Sequence, residues 1–387
     1  MTKNKSLWLM LALSIYLSAC QTKPPQEIKI IPLGKTYPDF MVSKWEMLPD
    51  WPTQDLTASW PAMRQSCNAL HFKPVWLPIC AAAAKIPVDD AMAQRQFYET
   101  WFTPYQVFNP DGTDTGLITG YYEPLLKGSR TPSKRFAYPI YAPPDDMLEV
   151  DMGDLYPQFR GQKVRARLDG KRVVPYFNRA EIDAGMDKAL KGHELFWVDD
   201  PIALFFLQIQ GSGRIELEDG TRVKVGYADQ NGHGYASIGR ILIDMGELKP
   251  EEASMQGIKN WAEKNPEKLP ILLGQNPSYV FFRVLPDNLS APLGALGVPL
   301  TSEYSIAVDQ RTIPLGVPVF LATTQPNSNV PLDRLMFAQD TGGAIKGAVR
   351  ADFFWGFGDF AAARAGSMKQ QGKMWVLFPR GAEPVLN

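Results

Sequence analysis

Histidine and cysteine are scarce, with three of each in 387 residues. His71, His193 and His233 stand far apart, and no H-x-x-x-H or C-x-x-C spacing occurs, so no metal site is expected. An excess of charge of one sign is also missing. With a formal net charge of -1, nothing draws the chain globally to nucleic acid or anionic lipid, and no nucleic-acid partner is expected. A Ser-His-Asp hydrolase would want a G-x-S-x-G elbow, and there is none. "GGAIKG" has the glycines of a phosphate loop, but its lysine is not followed by Ser or Thr. Nucleotide binding therefore drops out, and no cofactor is expected. No period repeats and no low-complexity block interrupts the chain. Carboxylate chemistry is what these absences leave standing.

Proline and glycine are plentiful, and the apolar runs between them are short, which favours strands and turns over a helical bundle. The length suits two domains. At the N-terminus, Lys3 and Lys5 precede an apolar run from Leu7 to Leu17 that ends in small residues, so residues 1–19 read as a secretory signal. The run is too short for a comfortable membrane span. Cys20 directly behind it resembles the lipidated first residue of a bacterial lipoprotein; the alternative is a plain signal peptide with an incidental cysteine. Several acyl chains on Cys20 would anchor the protein firmly, where a single chain binds only marginally. Gln21, in place of aspartate, favours by the same resemblance the periplasmic face of the outer membrane. Residues 20–39 read as a tether. Cys67 and Cys80 are left, either as a disulfide in an oxidising compartment or as two buried thiols, and spacing does not decide.

Further along, "DDAMAQRQFYETWF" places Met92, Phe97 and Trp101 at helical spacing. "GLITGYYEP" reads as a strand, and "IELEDGTRVKV" as two strands turning at Asp219-Gly220. "FFLQIQ" alternates, so it is expected to be a strand with Phe205, Leu207 and Ile209 on one face and Gln208 and Gln210 on the other. Two amides on one face leading to Ser212 suit either a polar binding surface or a solvated sheet. "YASIGRILIDMGEL" is a helix stopped by Gly246. "KPEEASMQGIKNWAEKNP" is expected to be a helix from Pro250 to just before Pro266. After Asn276, "YVFFRV", "YSIAVD", "VPVFLA", "RLMFAQD" and "MWVLF" are short strands with Pro-Gly turns, the pattern of a small β-barrel.

Two of those strands end in aspartate, Asp309 and Asp340, and Asp352 follows twelve positions later in "DTGGAIKGAVRADFFWG". Phe353, Phe354 and Trp355 stand directly behind Asp352. An apolar wall disfavours the ionised carboxyl and raises its pKa, and a second carboxylate nearby raises it further. A general acid needs such a shift near neutral pH. The plainer reading has all three aspartates capping turns.

"ITGYYEP", "QIQGSGRI", "NGHGYASIGRILID", "NPSYVFF", "VPLTSEYSIAVDQRTIPLG" and "QDTGGAIKGAVRADFFWGFG" together resemble the membrane-bound lytic murein transglycosylase A family, in the right order over nearly the whole mature chain. The resemblance implies a mainly β fold with some helices: a double-psi β-barrel (residues 40–121 and 286–380) interrupted by an inserted β-rich glycan-binding domain (122–285). It implies cleavage between N-acetylmuramic acid and N-acetylglucosamine with formation of a 1,6-anhydro ring, Asp352 acting as acid and then base. Asp340 would tune it and Asp309 would support the loops. Thr119, Tyr122, Gln208, Gln210 and Ser212 are the expected glycan contacts, with Tyr121 assigned to the core. Peptidoglycan strands, the membrane through Cys20 and other cell-wall enzymes are the implied partners. A hydrolase of the same or another polysaccharide and a non-catalytic peptidoglycan-binding lipoprotein are the alternatives.

Overall fold

The computed structural model describes residues 40–160, 164–250 and 252–384, so the signal segment, Cys20 and the tether lie outside the described residues. In chain order, β1 (Phe40–Val42) is followed by helices α1 (Trp60–Leu70), α2 (Trp76–Ala83) and α3 (Ala91–Trp101), then by β2 (Phe102–Val107) and β3 (Gly116–Glu123). The middle of the chain supplies β4 (Leu125–Ser129), β5 (Tyr138–Tyr141), β6 (Leu148–Val150), β7 (Val164–Asp169), β8 (Arg172–Pro175) and α4 (Arg179–Asp183). It continues with β9 (Glu194–Val198), α5 (Pro201–Gln210), β10 (Ser212–Leu217), β11 (Arg222–Gln230), α6 (Ile238–Asp244), α7 (Met255–Lys264), α8 (Leu269–Gly274) and β12 (Val280–Val284). The last third adds β13 (Ser305–Val308), β14 (Pro318–Thr324), β15 (Pro331–Asp340), β16 (Ala351–Phe357), α9 (Asp359–Ser367) and β17 (Lys369–Pro379). Sheets with short helices are what the sequence led us to expect.

The first sheet runs β1-β2-β17-β14-β15-β13-β16-β3, and β17 pairs with β3 as well, so six strands close a ring. The length of β17 makes this closure available: Trp375–Pro379 pair with β2 while Lys369–Gly372 pair with β3. Phe320, Met336, Phe337 and Trp375 fill the core, and Trp51, Trp60 and Tyr98 dock onto it. Edge-on ring pairs such as Trp60–Phe97 (5.2 Å) and Trp51–Phe320 (6.1 Å) each add about 0.5–1.5 kcal/mol beyond burial. The second sheet, β12-β11-β10-β4-β9-β5, and the third, β6-β7-β8, are built wholly from the middle of the chain. In the second, β10 and β11 form the expected hairpin, with Glu216 opposite Arg222 and Gly220 at φ +82° in the turn.

Two expectations fail. "FFLQIQ" is not a strand but the end of α5. Asp200 caps that helix by accepting from Ile202 and Ala203 N–H (2.8 and 3.0 Å), Pro201 opens it, and Gly211 at φ +74° closes it. The helix is apolar on both sides: Leu204 and Leu207 enter the core of the second sheet, while Ile202 and Phe205 enter a helical core with Leu242, Ile258 and Trp261. A helix with apolar residues on so many sides loses its 3.6-residue pattern, so the run could pass for a strand. The other error concerns α7, which begins at Met255 and not at Pro250. Ser254 is its cap, accepting from Gly257 N–H at 3.1 Å.

Cys67 on α1 and Cys80 on α2 are joined in a disulfide thirteen residues apart. Closing a loop of that length stabilises by about 3 kcal/mol in the chain-entropy account. Replacing both cysteines by alanine should therefore lower Tm in calorimetry. An equal Tm for wild type with and without reductant would rule the bridge out.

Candidate active site

The register of four strands sets the site. Ala307 on β13 pairs with Asp340 on β15 to one side and with Asp352 on β16 to the other. Asp352 in turn pairs with Thr119 on β3. The two carboxylates thus stand two strand spacings apart, about 10 Å between backbones. Alanine is the residue between them, buried among Tyr121, Leu300, Ile345 and Phe354.

Strand alternation corrects the expected aromatic wall. Phe353 and Trp355 turn to the other face of β16, into the main core, where their rings lie 4.5 Å apart. A Cβ at Gly120, on that same face of β3, would come within 2.8 Å of the Trp355 ring. Phe354 alone of the three shares the face of Asp352, in a small cluster with Tyr121, Leu300, Ala307 and Ile345. The sheet's own alternation thus leaves the apolar surroundings of Asp352 to this cluster.

Asp352 is half-buried, and its Oδ1 accepts a hydrogen bond from Thr119 Oγ1 at 2.6 Å. Burial raises its carboxyl above the ordinary range, against the lowering pull of the Thr119 hydroxyl and the Arg350 charge. Asp340 Oδ1 accepts from the backbone N–H groups of Thr341 (2.9 Å) and Ala295 (3.0 Å), and its Oδ2 from the Tyr121 hydroxyl (2.9 Å). Burial nevertheless pushes Asp340 up to about 6, and the nearby Asp352 charge adds to the rise. Tyr121 is core, as expected: its ring packs on Phe354 at 5.1 Å. Its hydroxyl belongs to the site all the same, a role that the two-residue spacing from Thr119 could have shown.

Asp309 is buried at the end of β13 and makes its bonds elsewhere. It accepts from the Arg311 guanidinium (2.6 and 2.9 Å), from Arg311 N–H (3.1 Å) and from Gly347 N–H (3.0 Å). Burial works to raise its pKa, but these donors together hold it at about 2. The bond to Gly347 pins the loop that carries the chain from Asp340 to Asp352, and Ile345 anchors the same loop in the cluster beside Ala307.

Of the expected glycan contacts, Thr119 is engaged by Asp352. Gln208 is buried, with its amide oxygen on the Arg179 guanidinium, and is not available at a surface. On a helix, positions two apart do not share a face, so Gln210 points elsewhere. Its Oε1 accepts from Tyr122 N–H at 3.1 Å and ties α5 to β3. Close by, Arg214 on β10 donates twice to buried Glu123 Oε2 (2.7 and 2.9 Å) and lies over the Phe357 ring at 3.9 Å. Tyr122, Gln210 and Ser212 therefore gather where the first sheet meets the second.

Because Asp309 is held at about 2 in the fold against an ordinary 3.8, it stabilises above pH 4 and loses that contribution as pH falls towards 2. Asp309→Asn should cost about 1–2 kcal/mol at pH 7, the upper figure being reduced by the exposure of Arg311. Urea unfolding of the two proteins should converge between pH 4 and pH 2, and a gap independent of pH would contradict this origin.

Residues 117–283 match the MltA specific insert domain and residues 304–378 the 3D domain. The chain is 36% identical over 298 residues to the membrane-bound lytic murein transglycosylase A of Escherichia coli K12, covering 74% of this chain and 72% of that protein. It resembles the crystal structure of MltA from Neisseria gonorrhoeae with a TM-score of 0.78 at 41% identity, over 90% of this chain and 94% of that one. For Escherichia coli MltA with bound chitohexaose the TM-score is 0.68 at 30% identity, over 89% and 96%. With that identity and coverage, the chain belongs to the membrane-bound lytic murein transglycosylase A family.

Proposed function

We propose that this protein is a lytic transglycosylase of peptidoglycan, cutting between N-acetylmuramic acid and N-acetylglucosamine, and that Asp352 alone carries the proton transfers. The observation that carries this reading is the row Asp340–Ala307–Asp352–Thr119, in which a half-buried carboxyl with a raised pKa holds one oxygen on Thr119. Protonated, Asp352 donates to the glycosidic oxygen as the C1–O bond breaks. As a carboxylate it then takes the proton of the muramyl C6 hydroxyl, whose oxygen closes on C1. No water enters, so the second carboxylate that a hydrolytic glycosidase requires is not needed. Asp340 is read as a tuner: the two carboxyls repel one another, so an ionised Asp340 would favour the protonated form of Asp352.

The closed ring of six strands is read as a double-psi barrel formed by residues 40–121 and 286–380, with 122–285 as the insertion and the glycan between the two. Tyr122, Gln210 and Ser212 would line that path. Cys20 is proposed to anchor the protein at the periplasmic face of the outer membrane; among the described residues no helix is long and apolar enough to cross a membrane.

Asp352→Asn should abolish release of muropeptides while still binding glycan, a loss of roughly 10⁴-fold or more for one group serving both steps. Mass spectrometry of a wild-type digest should find 1,6-anhydromuramic ends. Reducing ends would make the enzyme a hydrolase, and an active Asp352→Asn would end the single-acid mechanism. Asp340→Asn should keep part of the activity and move the alkaline limb of the pH profile to lower pH, because the acid loses a neighbouring negative charge. An unmoved limb would remove Asp340 from the tuning role.

A further inference from the structure

Arg350 stands two residues before Asp352, just ahead of β16, and its guanidinium reaches the same Thr119 hydroxyl that Asp352 accepts from. Its Nη2 donates to Thr119 Oγ1 at 2.8 Å, and its Nη1 donates to Leu117 O at 3.2 Å and to Ala351 O. Backbone carbonyls of both strands thus hold the guanidinium without any help from a ligand. Asp352 is the charge that acts on it most directly.

We infer that Arg350 is a positioning residue which, through the Thr119 hydroxyl, fixes the oxygen of Asp352 from which the proton is given and to which it returns. This rests on Asp352 as acid and then base. A guanidinium can only donate, whereas a threonine hydroxyl carries one hydrogen and can also accept. With Arg350 on its acceptor side, Thr119 turns its single hydrogen to Asp352 Oδ1, 2.6 Å away. Oδ1 is then an acceptor in both charge states, and the proton of the neutral acid belongs on Oδ2. The glycosidic oxygen takes the Oδ2 proton as its bond to C1 breaks. The C6 oxygen bonds to C1 and gives its proton back to Oδ2, so the carboxyl ends as it began. Arg350 also favours the carboxylate that exists between the two steps. Asp340 on β15 and Tyr121 on β3 also couple to Asp352 and carry no positive charge, while Lys369 on β17, opposite Thr119 in register, is an exposed cation with its charge in solvent.

The test uses the full chain on purified peptidoglycan across pH, with Arg350→Ala, Arg350→Lys, Thr119→Val and Thr119→Ser. Arg350→Ala should lower kcat by roughly tenfold or more, part of the 10²–10⁴ that acid–base participation supplies, with KM little changed. Its alkaline limb should move to higher pH, since loss of the cation disfavours the carboxylate. Arg350→Lys should recover part of the rate, and Thr119→Ser nearly all of it, while Thr119→Val should not. Adding Arg350→Ala to Thr119→Val should cost less than the two single losses combined, because both act through one hydroxyl. Direct ¹³C NMR titration of the Asp352 carboxyl should show a raised pKa in Arg350→Ala. An unmoved titration, a loss confined to KM, or fully additive losses would overturn the inference. An active Asp352→Asn would instead sink the catalytic assignment on which it rests. Should Arg350→Ala fail to fold, equal activity of Thr119→Ser and Thr119→Val would overturn it alone.

Discussion

Parallel pairing of β16 with β3, in the one register that sets Asp352 opposite Thr119, is the constraint on which the site depends. A slip of one residue would turn Asp352 into the core and bring Phe353 out in its place. The slip is opposed from both faces. Ala351, Phe353 and Trp355 are buried on one side, while Phe354 is locked against Tyr121 on the other. Packing that stabilises the barrel therefore also aims the carboxyl, and neither could be loosened without disturbing the other.

The same register explains how two neighbouring carboxyls come to differ. Asp340 is held by two backbone N–H groups and a phenol, donors that follow from the local fold. Asp352 is held by one hydroxyl with a cation behind it. Asp309, the third of the set, is committed to Arg311 and Gly347, and stays ionised far below neutrality. Three aspartates from one module thus have three different environments: one bound to a loop, one raised beside a tyrosine, one raised with a threonine hydroxyl on a single oxygen.

Much of this was legible in the sequence where a local signal was strong. The Asp219-Gly220 hairpin, the C-terminal strands and the three aspartates announced themselves through alternation and turn chemistry. Other features depended on what packs against what. α5 is apolar on both sides because two cores meet at it, and its alternation misled; Asp200, Pro201 and Gly211 were the signals that outweigh it. The wall behind Asp352 does not follow from adjacency in sequence, because neighbours in a strand point to opposite faces. Arg350 and Tyr121 were within reach of the same two-residue arithmetic, but only the fold shows that their polar ends meet Thr119 and Asp340.

Closure of the ring by β17 has a consequence in time. Thr119 precedes the second and third sheets in the chain, Asp352 follows them, and the strand that joins the ring to β2, β14 and β3 comes last of all. Contacts so distant in sequence form late, after most of the chain is already in place. Thr119 and Asp352, 233 positions apart, can meet only once β3 and β16 have paired, so the site and the ring that holds it come into being together.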